Sequence, residues 1–438
     1  MGAPGGGILR RVLVKPSIIG GRIAAPPSKS YTHRALAAAL LSDGTSLIVN
    51  PLRSQDTEAT RRACVLLGAG VVERGEQMEV SGGCLKAPED VIDVGNSGTT
   101  LRFFTAISAL APRGYAILTG DESIRRRPME PLLEALRGLG VECWSSKLDG
   151  TAPIIVRCGG VRGGEIEIPG DISSQFISAL LYASVKSSKG VKLHVKGDPV
   201  SKPYIDASIA VLNSFGFEVE REGYALFEVE GNQVGRPTSF RVPGDFSSAA
   251  FFMAGAHLTG GELIITGLSA ELPQADSKII EILREFGSRV DIESEGIRVR
   301  GVGGGGGGEF DLRESPDLLP VVAVMAAKSR DETVIRGVGH ARYKESNRIG
   351  SMALELRKLG VEVEELPDGL RIRGREDLKG GCVLDSHGDH RVFMALTILA
   401  AATELGCTLV GAELAEISYP KFLQDARLLG MRFEEVEM

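Results

Sequence analysis

The chain has 438 residues, 43% hydrophobic and 24% charged, with a formal net charge of -7, a length that exceeds one ordinary core and calls for two or more domains of a soluble globular kind. Aromatics make up only 5%, and with the acidic balance this excludes a nucleic-acid binder, whose footprint is basic and aromatic. No uninterrupted apolar run reaches membrane-spanning length, so neither nucleic acid nor membrane is expected as a partner.

The opening stretch, MGAPGGGILRRVLVKP, lacks the apolar core of an export signal. Gly6 stands where a myristoylation signal needs Ser or Thr. Cys64, Cys84, Cys143, Cys158, Cys382 and Cys407 form no CxxC pair and are expected to be reduced core thiols of a cytoplasmic protein.

From residue 26 onward one pattern repeats. A turn of small polar or acidic residues leads into an apolar helix, and a second helix then ends on a glycine followed by a strand. The first turn and helix are PPSKSYTHRALAAALL (26–41), followed by LLGAG ending at Gly70. Next come GNSGTTLRFFTAISAL (95–110) with LRGLG ending at Gly140, then GDISSQFISALLYASV (170–185) with LNSFG ending at Gly216. The last three pairs are GDFSSAAFFMAGAHL (244–258) with Gly287, SPDLLPVVAVMAA (315–327) with Gly360, and HGDHRVFMALTILAA (387–401) with Gly430. Ser, Asp and Asn before the apolar runs are N-cap residues, and glycine takes the left-handed position that ends a helix. Helices apolar nearly all round are expected to be buried, and those ending in the glycine phrase carry one polar face.

The repeat therefore reads β-α-β-α-β-β over roughly 70 residues, too little to bury both helices alone. Three such units sharing their buried helices make one domain, and six make two. The shared helices would present their N-termini on one face, where free N–H groups and the macrodipole attract anions. Lys29, Arg34, Arg102 and Arg391 stand at these helix starts with Asp317, Asp389 and His390. Cations there oppose the macrodipole, which suggests anions held by both. Further cations sit in Arg125-Arg126-Arg127-Pro128, in Ser201-Lys202-Pro203-Tyr204, and in the segment from His340 to Arg348, where a helix would put Lys344 and Arg348 on one face. SKS at 28–30 is not a Walker loop, and the glycine run 301–308 reads as a flexible connector. His387 and His390 are spaced HxxH without a third ligand nearby, so an orienting or structural role is expected over metal binding.

Nine motifs in order carry a resemblance that spans essentially the whole chain: PPSKSYTHRAL (26–36), SQDT (54–57), GNSGTTLRF (95–103), LTGDESIRRRPM (118–129), DISSQF (171–176), SKPYID (201–206), SPDLLP (315–320), KESNR (344–348) and GDHRVFMAL (388–396). Together they resemble the 5-enolpyruvylshikimate-3-phosphate synthases. The resemblance implies an α/β fold of two lobes, each of three β-α-β-α-β-β units around buried parallel helices. It assigns 1–26 and 243–438 to one lobe and 27–242 to the other, with the active site between them.

It also implies transfer of the enolpyruvyl group of phosphoenolpyruvate to shikimate 3-phosphate, a step of aromatic amino-acid biosynthesis, in a monomer that needs no cofactor or metal. Lys29, Ser30, Arg34, Gln175, Tyr204, Asp317 and His340 are implied at shikimate 3-phosphate, with Ser173, Ser174, Ser201 and Lys344 at its phosphate. Lys29, the Gly98 N–H, Arg127 and Gln175 are implied at the phosphate of phosphoenolpyruvate, and Arg348 and Arg391 at its carboxylate, where planar forks suit a planar acceptor. Arg102 would support the Gly98 turn. Asp317 and Glu345 are implied at the reacting centre, Asp317 deprotonating the 5-hydroxyl and Glu345 exchanging the methylene proton, with Lys29 as alternative or relay. Glyphosate would occupy the phosphoenolpyruvate site.

Three positions depart from the family's habit: His340 for Asn, Ile417 for Lys, and Phe103 for Pro. The similar UDP-N-acetylglucosamine enolpyruvyl transferases carry a reactive cysteine in the loop that here reads ESIRRRPMEP. RNA 3′-phosphate cyclisation would need a histidine nucleophile. A non-catalytic phospho-ligand binding repeat protein would have no use for Asp317 and Glu345 among the cations.

Overall fold

A computed structural model of the chain describes residues 10–436; residues 1–9, on which the reading of export and acylation signals rests in part, lie outside the described residues. The chain folds into two compact units. One takes in the chain up to Pro26, Phe246–Leu268 and the chain from Asp276 on; the other is Pro27–Asp245 with Ser269–Ala275.

Each unit holds three four-stranded sheets of one design: a parallel strand pair, then two antiparallel strands. Three sheets are built from contiguous chain. In one of them Ile92–Asp93 pairs parallel with Tyr115–Thr119, which pairs antiparallel with Ile154–Arg157, with Cys143–Ser145 at the edge. The other three borrow a strand. Gly21–Ala24 precedes helix Lys29–Leu41 in sequence but pairs with Glu262–Thr266. Ser239–Arg241 precedes helix Phe246–Thr259 but pairs with Gly44–Val49. Arg11–Lys15 inserts between Cys407–Val410 and Arg432–Val436. Where the chain leaves one unit for the other, its last strand stays behind.

Residues 243–245 and 269–275 fall with Pro27–Asp245, beyond the expected boundary at 242. Ser28 N donates to Pro243 O at 2.8 Å, Gln274 Nε2 to Gly244 O at 2.9 Å, and Tyr31 Oη to Pro273 O at 2.7 Å.

The six apolar helices are Lys29–Leu41, Gly98–Ser108, Ser174–Ser184, Phe246–Thr259, Leu319–Ala327 and His390–Ala401. They are buried almost throughout, and every residue of His390–Ala401 is buried. Each fully buried Val, Leu, Ile, Phe or Met adds about 1.5–3 kcal/mol, so these helices carry the core. Ser97, Ser173 and Asp389 cap theirs with side-chain hydrogen bonds. Ser28 makes no side-chain cap bond, and Leu319–Ala327 enters through a 3-10 turn at Pro316–Leu318 instead.

The glycine signal needs one shift. At Gly140 the N–H bonds Arg137 O and the next N–H bonds Leu136 O, the doubled bond that closes a helix on a left-handed residue. Gly216, Gly287, Gly360 and Gly430 repeat it. In the first repeat Gly68 takes this role, with φ of 108°, while Gly70 begins a strand. The helix ends at Leu66, and the left-handed residue must follow directly on its cap.

Two other expectations change. The run 301–308 is pinned at points rather than a loose connector: a Cβ at Gly301 would lie 1.8 Å from Ala256 O and one at Gly305 1.9 Å from Phe286 O, while Val302 between them is exposed. Glycine is there because backbone approaches backbone. Among the cysteines, Cys84 is exposed and Cys382 half-buried, so only the other four are core thiols.

Candidate active site

In the unit containing Pro27–Asp245, helix starts gather the basic side chains. Lys29 Nζ lies 2.8 Å from Asp56 Oδ2, both side chains largely buried. One turn on, His33 Nδ1 meets Thr60 Oγ1 at 2.6 Å; Thr60 in turn meets Thr100 Oγ1 at 2.6 Å and Thr100 meets Ser97 Oγ at 2.7 Å. Burial, then the charges of Lys29 and Arg34, hold His33 well below the ordinary histidine range. This neutral chain of hydrogen bonds ties the start of helix Lys29–Leu41 to the cap of helix Gly98–Ser108. At that cap a Cβ on Gly98 would fall 2.4 Å from an Arg127 Nη and 3.0 Å from an Arg102 Nη. The missing side chain is the space two guanidinium groups occupy.

Arg102 donates to Gln175 Oε1 at 2.5 Å, and Gln175 Nε2 donates to Thr99 Oγ1 at 3.0 Å, joining the second helix start to the third. Ser173 caps that third helix, and Ser174 is buried beside it. Arg127 is buried and donates to Ser123, whereas Arg126 pairs with Glu122 in solvent. Arg125 donates to Gly120 O, so the three arginines of one loop have different fates.

Arg34 is 2% exposed. It donates to Ser208 Oγ at 2.9 Å, Ser30 O at 3.0 Å and Tyr204 O at 2.9 Å. Its guanidinium carbon lies 5.6 Å from the centre of the Phe103 ring and 5.9 Å from that of Tyr204. Ser201 stands in the left-handed region, φ 57°, and starts the helix that carries Tyr204.

The other unit holds a lattice of carboxylates and cations. Arg348, 1% exposed, donates through Nε to Asp389 Oδ2 at 2.8 Å, through Nη1 to Asp317 Oδ1 at 2.7 Å, and through Nη2 to Glu345 Oε2 at 2.6 Å. Arg391 Nη2 reaches Asp317 Oδ2 at 3.0 Å, and Lys344 Nζ lies 3.8 Å from Asp317 Oδ1. Burial would raise the Asp317 pKa, but Arg391, Lys344 and Arg348 outweigh it and hold the carboxyl well below its ordinary range. Burial, then Lys344, pushes His340 down to about 4, leaving a neutral imidazole whose buried Nε2 has no hydrogen-bond partner.

Lys344 and Arg348 do not share a helix face. His340 and Tyr343 lie in a 3-10 turn, the chain breaks at Lys344, and the helix begins at Arg348 with Asn347 as its cap. The two cations meet at Asp317 because the break turns Lys344 back toward it. Among the described residues no cluster of His, Cys, Asp or Glu is arranged to hold a metal.

The profile of the family described as EPSP synthase (3-phosphoshikimate 1-carboxyvinyltransferase) matches residues 13–426. The chain belongs to the EPSP synthase family. It is 46% identical to the 3-phosphoshikimate 1-carboxyvinyltransferase of Korarchaeum cryptofilum, over 95% of this chain and 98% of that one. It is 42% identical to the protein of the same name from Methanocaldococcus jannaschii, over 97% and 99%. Among solved structures it resembles the EPSP synthase from Acinetobacter baumannii, at 26% identity and TM-score 0.81, over 98% and 100%. The enolpyruvyl transferase NikO from Streptomyces tendae, at 19% identity and TM-score 0.80, shares the fold.

Within this EPSP synthase family chain, the expected residues fall into two groups, one per unit. Lys29, Ser30, Arg34, Gly98, Arg127, Ser173, Ser174, Gln175, Ser201 and Tyr204 belong to the first; Asp317, His340, Lys344, Glu345, Arg348 and Arg391 belong to the second. Residue-type reasoning passed over Asp56, Ser208 and Glu355. Asp56 sits in the quoted SQDT motif, a signal that could have been used. Asp389 stood out only as a helix start, yet it is the fully buried partner of Arg348. Ile417, standing where the family's lysine is expected, is buried.

Proposed function

We propose that the protein transfers the enolpyruvyl group of phosphoenolpyruvate to the 5-hydroxyl of shikimate 3-phosphate and releases inorganic phosphate, a step toward aromatic amino acids. The relatives' shared name, 3-phosphoshikimate 1-carboxyvinyltransferase, describes this transfer. The observation that carries it in this chain is an ionised Asp317 held by Arg348, Arg391 and Lys344.

An ionised carboxylate accepts the hydroxyl proton as the oxygen adds to the substituted vinyl carbon. A proton reaches the methylene carbon at the same stage, giving a tetrahedral adduct. Loss of a proton from the new methyl group then expels phosphate and restores the double bond. Glu345 gives and recovers that proton, with Lys29 as the alternative donor. Arg391 takes the phosphoenolpyruvate carboxylate with Arg348, and Lys29, the Gly98 N–H, Arg127 and Gln175 take its phosphate.

Ser173, Ser174, Ser201 and Lys344 take the phosphate of shikimate 3-phosphate, the hydroxyls and cation that a monoester needs. Ser30, Arg34, Tyr204 and the neutral His340 line its ring and carboxylate. The reading includes a cytoplasmic monomer without cofactor.

Phosphate release with phosphoenolpyruvate and shikimate 3-phosphate tests the function. UDP-N-acetylglucosamine is the alternative acceptor in a parallel reaction. Release with only the latter would transfer the protein to the other acceptor class, and release with neither would favour a binding role.

A further inference from the structure

Helix Arg348–Lys358 is tied at two heights to the turn before helix His390–Ala401. At its start Arg348 holds Asp389. Seven residues on, two turns along the same face, Glu355 is fully buried and accepts three donors: the Asp385 N–H at 2.9 Å, Lys358 Nζ at 2.7 Å, and His387, whose Nε2 lies 2.7 Å away.

Between these anchors the backbone passes through His387 at φ 53° and Gly388 at φ 73°. The left-handed region suits Gly388 and is uncommon for any residue with a side chain, although histidine and asparagine enter it more readily than most; the held flanks keep the turn on this path. The turn delivers Asp389, which accepts from the Arg391 N–H at 2.8 Å and starts the helix, and Arg391 reaches Asp317.

We propose that His387 is a positioning residue: its ring, hydrogen-bonded to buried Glu355, holds the 385–389 turn on its left-handed path and so aims Arg391 at the phosphoenolpyruvate carboxylate. This rests on the reading above that Arg391 binds that carboxylate. The charged groups acting on His387 are Glu355 and Lys358 from the helix and Asp385 from its own turn. The hydrogen bond to Glu355 is the largest influence and raises the imidazole pKa, Asp385 adds to it, and burial and Lys358 oppose it. A raised pKa means the histidine's share of the latch is full below the free-imidazole value, while Glu355 stays ionised, and is lost as pH rises through the raised value. The affinity for phosphoenolpyruvate falls with it.

The test compares the full-length protein with His387→Asn, Glu355→Gln and the double variant. Asparagine tolerates the left-handed region but carries no charge. His387→Asn raises KM for phosphoenolpyruvate roughly tenfold through misplacement of Arg391. KM for shikimate 3-phosphate is unchanged, because only the other substrate's contacts are altered. The alkaline rise in KM for phosphoenolpyruvate that the latch predicts for the unaltered protein is absent from the variant. Glu355→Gln behaves alike, and the double variant is no worse than either alone. An unchanged KM with the alkaline limb intact overturns the proposal, as does an equal loss for both substrates.

The histidine titration is also read by NMR without turnover. The signal missing in His387→Asn titrates above the ordinary histidine range and moves back in Glu355→Gln. An ordinary titration overturns the latch whatever the assay gives. Absent phosphate release with the raised titration intact refutes the transfer reading while supporting the latch.

Discussion

Arg348 and Asp389 are 41 residues apart in sequence and form an ion pair at 2.8 Å with both side chains almost wholly out of solvent. Breaking a buried pair by removing one partner costs about 3–5 kcal/mol, because the other charge is left uncompensated. Asp389→Asn keeps a helix-capping side chain and removes the charge, so it isolates the pair. Urea denaturation of this variant is expected to show a loss of about 3 kcal/mol. A loss no larger than that of an exposed pair would mean that Asp317 and Glu345 already neutralise Arg348.

Proton roles separate in heavy water. Glu345→Gln is expected to bind both substrates and nearly abolish deuterium entry into the methylene of phosphoenolpyruvate. Asp317→Ala should block adduct formation and weaken shikimate 3-phosphate binding. It also removes a partner of Arg348 and Arg391. Exchange at the unaltered rate in Glu345→Gln moves the proton to Lys29.

Gly98→Ala acts on a neighbour rather than on open space. The new methyl would lie 2.4 Å from Arg127, the end of a flexible side chain, so the fold survives and Arg127 moves. Steady-state kinetics should show KM for phosphoenolpyruvate raised roughly tenfold. Glyphosate inhibition, competitive with phosphoenolpyruvate, should weaken more than that. An unchanged inhibition constant would detach this turn from the site.

His257 provides a pH test of stability. It is fully buried, its Nδ1 lies 2.8 Å from Ser288 Oγ, and burial, then Lys328, pushes it down to about 4. The unfolded chain takes a proton near pH 6.5 while the folded one resists until about 4. Stability from this group is therefore complete above 6.5 and lost as pH falls through that window. Integrated over the window this is about 3 kcal/mol. Denaturation midpoints measured from pH 7 to pH 4 should fall less steeply in His257→Gln. Parallel slopes would assign the acid sensitivity elsewhere, His33 and His340 being the other buried groups of this kind.

Much of the architecture could be read from local pattern. The six apolar runs gave six buried helices, and a glycine closes the second helix of every repeat on a left-handed residue. The shift from Gly70 to Gly68 shows the limit of that signal, since LLGAG offers two glycines and only the helix end selects between them. The pinned run 301–308 shows another. Eight residues, seven of them glycine, look loose until the carbonyls of Ala256 and Phe286 are seen to press on them.

Local sequence was enough for the repeated unit, the buried helices with anion-attracting starts, and the family to which the chain belongs. These rest on interactions within a few residues: caps, left-handed glycines, apolar periodicity and ordered motifs. Which strand completes which sheet is set by long-range packing, as when Gly21–Ala24 pairs with Glu262–Thr266. The same packing matched Lys29 to Asp56, Arg348 to Asp317 and Asp389, and His387 to Glu355. An arginine's fork is complementary to every carboxylate in the chain. Which ones it meets depends on helices packing across a core, and no spacing along the chain encodes that distance.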